Sequence, residues 1–222
     1  MIYDFHTHTF FSDGINSPIE LIRYAVSYGY GYIAITDHVS YSNIDFVLEN
    51  VVKDCQLAQK YWDVVAIPGV EITNVPAKSI DQMAEYAKSK GAKLVVVHGQ
   101  SIVERVEEGT NWEAVNSSHV DILAHPGLIT EREAKTAAEM GVFLEISGRR
   151  GHSLGNGRTA LKANQAGARL LINTDSHSQN DLFKQDFQRK VGLGAGLSPD
   201  EVEEIIKVNA KLMLKKIGIG SR

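Results

Sequence analysis

The feature that most constrains this chain is a regular alternation. Seven short apolar runs, Ile2 to Phe5, Tyr32 to Ile35, Val64 to Ile67, Leu94 to Val97, Ile122 to Ala124, Val142 to Ile146 and Leu170 to Ile172, are separated by longer amphipathic segments. Runs this short and this apolar read as buried strands, and strands alternating with helices along a whole chain predict a parallel sheet in an α/β fold. Helices are predicted from Ile19 to Tyr28, where Ser17 caps and Glu20 completes a capping box, from Ser79 to Lys90 and from Glu131 to Met140. Gly29, Gly91, Gly141 and Gly167 stand where helices should stop. Ser198-Pro199-Asp200-Glu201 opens closing helices across Val202 to Leu214. No polar linker, repeat or low-complexity stretch interrupts the alternation, so residues 1–222 are expected to form one domain.

Periodicity does not separate an open doubly wound sheet from a closed barrel, but the positions of the polar residues do. Almost every apolar run ends in a side chain able to bind metal: His6 and His8, Asp37-His38, Glu71, His98, His125, then Asp175 and His177. In a parallel barrel all strands finish on one face, so these residues would converge although they are spread along the chain. An open sheet would leave some of them too far apart. His6 and His8 are two apart at a strand end and can face one ion, and Asp175 and His177 repeat that geometry. Asp37 and His38 are adjacent and point to opposite sides, so His38 is expected as a ligand and Asp37 as the partner that orients another ligand. Asp4 shares parity with His6 and His8 and is expected beneath them, fixing an imidazole tautomer. Six of the eight histidines at strand ends, joined by Asp13, Glu71 and Asp175, are hard to explain as packing, because buried ionisable groups cost several kcal/mol unless paired or metal-bound. A ligand set of imidazoles and carboxylates without thiolates suits zinc, manganese or iron.

Composition excludes some partners. Lys and Arg number 23 against 27 Asp and Glu, a net charge of −4, so the chain offers no overall basic field for long nucleic acids. Cys55 is the single cysteine and is expected to be a small buried apolar residue. The N-terminal residues show no signal-peptide pattern and no apolar stretch reaches a membrane-spanning length, so a soluble cytoplasmic protein is expected.

The ordered set His6-Thr7-His8, Ser12-Asp13-Gly14, Thr36-Asp37-His38, Gly69-Val70-Glu71, His98, Ala124-His125-Pro126-Gly127 and Asp175-Ser176-His177 resembles the PHP (polymerase and histidinol phosphatase) domain family over residues 1 to about 180. The resemblance implies a distorted TIM-like (β/α)7 barrel with up to three divalent metals. It implies one metal near His6, His8, Glu71 and Asp175, a second near Glu71, His98 and His125, and a third near Asp13, His38 and His177, with Glu71 bridging two of them. Asp13 stands where some members have histidine.

The implied chemistry is hydrolysis of a small phosphomonoester, such as histidinol phosphate or a sugar or nucleotide phosphate, by a hydroxide bridging two cations. Glu71, Asp175, His177, Arg149 and Arg150 are the catalytic candidates. Arg149, Arg150 and His152, which follow the sixth strand, and Arg158, in a Gly-Asn-Gly-Arg turn, are the candidates for holding the phosphoryl group and substrate. Arg149 and Arg150 are adjacent and should not both point inward. Glu145 has no obvious partner and is left out of the metal set, with orienting a ligand or facing a helix as its two readings. His119 reads as exposed or helix-terminal, and Gly192 to Gly196 as a flexible turn. Two alternatives compete. A phosphodiesterase or exonuclease would need an open groove with a more basic rim. A non-catalytic module in an RNA or polymerase complex would have lost ligands that this chain keeps.

Overall fold

The computed structural model describes residues 1–184 and 186–220. Its parallel strands are β1 (Ile2–Asp4), β2 (Tyr30–Ile35), β3 (His38–Val39), β4 (Val65–Ile72), β5 (Leu94–His98), β6 (Ile122–Ala124), β7 (Phe143–Ser147) and β8 (Leu170–Asn173). They run in the order β1-β2-β4-β5-β6-β7-β8, with β3 paired to β4. The helices are α1 (Pro18–Ser27), α2 (Ile44–Tyr61), α3 (Ile80–Ser89), α4 (Thr110–Asn116), α5 (Glu131–Met140), α6 (Asn156–Ala166), α7 (Phe187–Gly194), α8 (Pro199–Glu204) and α9 (Ala210–Lys216). The result is the expected TIM-like barrel, built on seven principal strands and nearly closed.

The Ser17 hydroxyl accepts the backbone N–H of Glu20, which is one half of the expected capping box, while Thr130/Glu133 and Ser198/Glu201 form full boxes. Gly141 and Gly167 take the left-handed conformation, φ 69° and 71°, that ends α5 and α6. Gly192 to Gly196 departs from expectation. Helix α7 runs through Gly192, where a side chain would collide with Val202 and Ile172, so the glycine serves close helix packing rather than a flexible turn.

Strand parity sorts the barrel into two halves. Tyr32 and Ala34, Val65 and Ile67, Leu94 and Val96, Phe143, and Leu171 point inward and pack together with Ala210, Met213 and Leu214 of α9, which plugs the lower end. Continuing the same alternation upward gives His38, Glu71, His98, Glu145, and Asn173 followed by Asp175. One inward row therefore changes from apolar packing to ionisable groups within a single strand length. A second core, outside the sheet, packs Ile33, Ile35, Val70, Ile72, Val95 and Val97 against Leu21, Ile22, Leu48, Val51 and Met83 of α1 to α3.

Two irregularities shape the upper rim. Strands β2 and β3 both lie along β4, with Ile35 opposite Pro68 and His38 opposite Glu71, so they act as one strand interrupted at Thr36-Asp37. Thr7 docks at the interruption, accepting the backbone N–H of Thr36 at 2.8 Å. The other irregularity is the seam between β1 and β8, which lacks a regular ladder. A bridge between Thr7 and Ser176 crosses it, as do hydrogen bonds from Phe5 N–H to Asn173 Oδ1 (3.1 Å) and from Gln188 Nε2 to the carbonyls of Tyr3 (3.2 Å) and Ile172 (2.8 Å). Cys55 is buried in α2, as expected. Among the described residues no helix is long and apolar enough to cross a membrane.

Candidate metal centre

All nine residues expected as ligands meet at the upper end of the barrel. Glu71 is the hub. Its Oε1 lies 3.2 Å from His6 Nε2, 3.4 Å from His98 Nδ1 and 3.5 Å from His125 Nε2, and its Oε2 lies 2.7 Å from His38 Nδ1 and 3.5 Å from His8 Nε2. Asp175 is a second hub, 3.3 Å from His8 Nε2, 3.5 Å from His177 Nδ1 and 3.8 Å from His125 Nε2. Asp13 gathers the outer rings, with Oδ1 at 3.0 Å from His177 Nε2, 3.6 Å from His38 Nε2 and 4.0 Å from His8 Nδ1.

Side chains close enough to share one ion form overlapping sets: His6, Glu71 and His125; His38, Glu71 and His98; His6, His8 and Asp175; His8, Asp13, His38 and His177; and His125, His152 and Asp175. Glu71 and Asp175 each belong to two sets, which is the property of a carboxylate that can bridge neighbouring cations. The sets cut across the grouping implied by the resemblance. His38 lies between Glu71 and Asp13, and His152 joins His125 and Asp175.

The residues fit divalent metals on an observation independent of their identity. Of the eight buried side-chain polar atoms without a hydrogen-bond partner among the described residues, six are His8 Nδ1, both oxygens of Glu71, His98 Nδ1 and both ring nitrogens of His125. Each such atom costs roughly 1–3 kcal/mol if left unmet, and cations held among these rings would satisfy the Glu71 oxygens and one nitrogen of each ring. His125 and Asp175 also hold left-handed backbone, φ 28° and 53°, at a cost of about 1–3 kcal/mol each. Ala124 already points inward, so an ordinary extended His125 would point out; the left-handed turn brings its ring back to the cluster.

Electrostatics reflect the crowding. Burial pushes the Glu71 carboxyl up, but the imidazoles of His6, His38 and His98 outweigh it and hold the group well below the usual carboxylate range. Asp175 is treated likewise by His6, His152 and His8. Burial, reinforced by the neighbouring His38, pushes His8 down to about 3, leaving a neutral ring with a lone pair to offer. Burial opposes protonation of His98, but Glu71 and Glu104 raise it to about 10. His6 is likewise held well above its usual value, against the effect of burial, by Glu145, Glu71 and Asp175.

The supporting residues differ from expectation in instructive ways. Asp4 does not touch an imidazole. Tyr3 and Phe5 face the barrel interior, so Asp4 lies on the other side of β1, at the seam, accepting the Thr174 hydroxyl (2.6 Å), the Thr174 N–H (3.2 Å) and the His6 N–H (3.3 Å). β1 ends at Asp4, so strand alternation does not carry from Asp4 to His6. Glu145 makes the expected contact instead. Fully buried, it accepts from His6 Nδ1 at 2.8 Å and from Asn173 Nδ2 at 2.9 Å on one oxygen, and from the His125 N–H at 3.1 Å on the other. Its parity with Phe143 was the signal in the sequence. Asp37 accepts the Thr9 N–H and hydroxyl and the Ser12 hydroxyl, each at 2.7 Å, and so secures the loop between His8 and Asp13 rather than a ring.

Over the cluster lies a cavity of about 420 Å³, lined by six of the ligand residues, Asp13, His38, His98, His125, Asp175 and His177, by Ser40, Ser42, Asn43, Thr73 and Asn74, and by Glu104, Arg149 and His152. Arg149 faces it, with Nη1 2.5 Å from His177 Nδ1 and 3.3 Å from the Asp175 carbonyl. Arg150 is exposed and borders a different hollow, as adjacency required. Arg158 does not reach the site. The Gly-Asn-Gly-Arg segment is the first turn of α6, and the Arg158 Nε–H donates to the Ile129 carbonyl at 3.0 Å. His152, expected to meet substrate, is buried with Nδ1 2.9 Å from Asp175 Oδ2. His119 pairs with Asp81 at 3.1 Å, away from the cavity. Glu104 was not anticipated, since nothing in a polar loop marks which residue turns inward.

The barrel and its buried imidazole–carboxylate cluster define a metal-dependent hydrolase. The chain belongs to the PHP domain family, whose model matches residues 4–210. It is 48% identical over 218 residues to an uncharacterized protein of Methanocaldococcus jannaschii, covering 98% of this chain and 100% of that one. A probable phosphatase of Thermoanaerobacter sp. (strain X514) is 27% identical over 239 residues, covering 99% of this chain and 98% of that one. Among solved structures, histidinol phosphate phosphatase from Lactococcus lactis, complexed with zinc, L-histidinol and phosphate, superposes with a TM-score of 0.58 at 14% identity, covering 99% of this chain and 94% of that one. That last likeness is one of fold.

Proposed function

We propose that this metal-dependent phosphoesterase of the PHP family hydrolyses a small phosphomonoester, with up to three divalent cations, zinc, manganese or iron, held by His6, His8, Asp13, His38, Glu71, His98, His125, Asp175 and His177. The observation that carries the reading is the cavity: about 420 Å³ above the buried cluster, with a hydroxyl- and amide-bearing wall and, among the described residues, Arg149 as the one arginine or lysine lining it. A pocket of that size suits a small molecule.

Divalent cations bound here would acidify water and withdraw charge from the phosphoryl oxygens. The protein's own groups do the rest. Arg149 matches two phosphoryl oxygens with its planar fork and meets the charge that grows on them. The Asp175 carbonyl, 3.3 Å from Arg149 Nη1, holds that guanidinium against the cavity wall. Glu71 and Asp175, kept ionised by the surrounding imidazoles, supply the negative charge that retains cations. Ser40, Ser42, Asn43 and Thr73 line the far wall, where the alcohol portion of the substrate would rest.

A diester or oligonucleotide substrate would call for a row of cations along the rim, and among the described residues the lining supplies Arg149 alone. The test is turnover of para-nitrophenyl phosphate against bis-para-nitrophenyl phosphate by manganese- or zinc-loaded protein, followed by a panel of phosphorylated metabolites. Preference for the monoester is expected; turnover of the diester alone would overturn the proposal.

A further inference from the structure

We propose that Glu104 is a positioning residue that turns His98 and His152 so that both present Nδ1 to the metal cluster, which makes His152 a further ligand beside the nine. The inference rests on the metal-site reading above and adds to it a second layer.

Glu104 belongs to the segment between β5 and α4, and its side chain is about half exposed, 49%. Both of its oxygens nevertheless turn inward. Oε2 lies 2.9 Å from His98 Nε2 and Oε1 lies 3.2 Å from His152 Nε2. An ionised carboxylate only accepts, so each ring must place its N–H on that outer nitrogen. The inner nitrogens are then the ones that can give up a proton and offer a lone pair to a cation. His98 Nδ1 is 3.4 Å from Glu71 and has no hydrogen-bond partner, on a residue 95% buried, and His152 Nδ1 is 2.9 Å from Asp175. One surface carboxylate thereby sets the tautomer of two rings, one at the end of β5 and the other in the loop after β7, that face the two different hub carboxylates. Glu145 does the same for His6 from the opposite side.

The segment is seated for this task. Gly127 leaves space for the Gln100 carbonyl, and Gly151, next to His152 and at φ 83°, leaves space for Val103, whose methyls would lie 3.1 Å and 3.3 Å from an added Cβ. The Asn111 side chain accepts the Gln100 N–H at 2.9 Å and donates to the Pro126 carbonyl at 2.9 Å. Glu104 is thus carried on a strap braced against the loops after β6 and β7.

The test compares wild type with Glu104→Ala and Glu104→Asp. Zinc or manganese affinity, measured by competition with a chromophoric chelator, should fall roughly 10–100-fold in Glu104→Ala, while the melting temperature of the metal-stripped protein stays at the wild-type value. Long-range nitrogen–proton spectra of the zinc-loaded wild type should show His98 and His152 protonated at Nε2 and metal-shifted at Nδ1, with that signature lost in Glu104→Ala and restored in part in Glu104→Asp. Wild-type protein that binds metal, beside a Glu104→Ala variant of equal affinity and unchanged ring spectra, would overturn this inference and leave the proposed function standing. Wild-type protein that binds no zinc or manganese would overturn both.

Discussion

Replacing Glu145 by glutamine removes one charge and keeps the shape, so the cost can be worked from three donors. His6 Nδ1 and Asn173 Nδ2 converge on one oxygen at 2.8 and 2.9 Å, and the His125 N–H meets the other at 3.1 Å, all in a fully buried setting. A glutamine can satisfy one side only. With its oxygen toward His6 and Asn173, its NH2 opposes the His125 N–H; turned over, it opposes two donors. The better orientation still weakens a charge-assisted bond and leaves a buried N–H unmet, for a loss of roughly 2–4 kcal/mol. For a chain of this size that is a fall in melting temperature on the order of 10 °C. The strained His125 turn loses its anchor as well, so cation affinity should fall by about 10–100-fold. Thermal or urea denaturation of the metal-stripped variant, with chelator competition for the loaded one, measures both. A melting temperature within about 2 °C of wild type together with unchanged affinity would refute the assignment of Glu145 as the anchor of His6 and His125.

Other outcomes are accessible to standard assays. Arg149→Ala should lower kcat/KM roughly 10–100-fold with metal content intact, and Arg149→Lys should recover only part of it; an unchanged kcat/KM would remove Arg149 from substrate binding. Arg158→Ala should leave turnover at the wild-type level, because that side chain caps the Ile129 carbonyl outside the cavity. Lys216 donates to the carbonyls of Val120 and Gly141 at 3.2 and 2.9 Å, so Lys216→Ala should destabilise the protein by about 1–2 kcal/mol without altering turnover. His6 and His98 are raised above their usual values, His98 to about 10, so both carry protons at neutral pH that a cation must displace. Metal affinity should therefore weaken as pH falls and strengthen as it rises. Calorimetry in two buffers of different ionisation enthalpy should show proton release on zinc binding at pH 7, and no release would contradict the picture.

What could be read from the sequence followed from alternation. Because side chains alternate along a strand, Val65, Ile67 and Glu71, or Leu94, Val96 and His98, declare both the apolar core and the polar summit above it. Where the backbone leaves that regime, the reading fails. Asp4 was placed by parity across a strand that ends at Asp4 itself, and the seam between β1 and β8 took its carboxylate instead. His125 reaches the cluster through a left-handed residue that no alternation foretells. Arg158 and Gly192 looked like loop residues because local glycines outweighed the helical neighbours that packing selects. Glu104 and the inward turn of His152 depend on how two loops lean on each other, a relation set by glycines at 127 and 151 and far apart in sequence.

Imidazoles and carboxylates drawn from the whole length of the chain should hold cations together in one pocket. Anomalous diffraction from crystals grown with zinc or manganese, recorded on both sides of the metal edge, tests it most directly. Two or more peaks are expected in contact with Glu71 and Asp175, each about 2.0–2.2 Å from ring nitrogens of the surrounding histidines. Crystals of the loaded protein with no peak between those carboxylates, or with metal only at the outer surface, would contradict it.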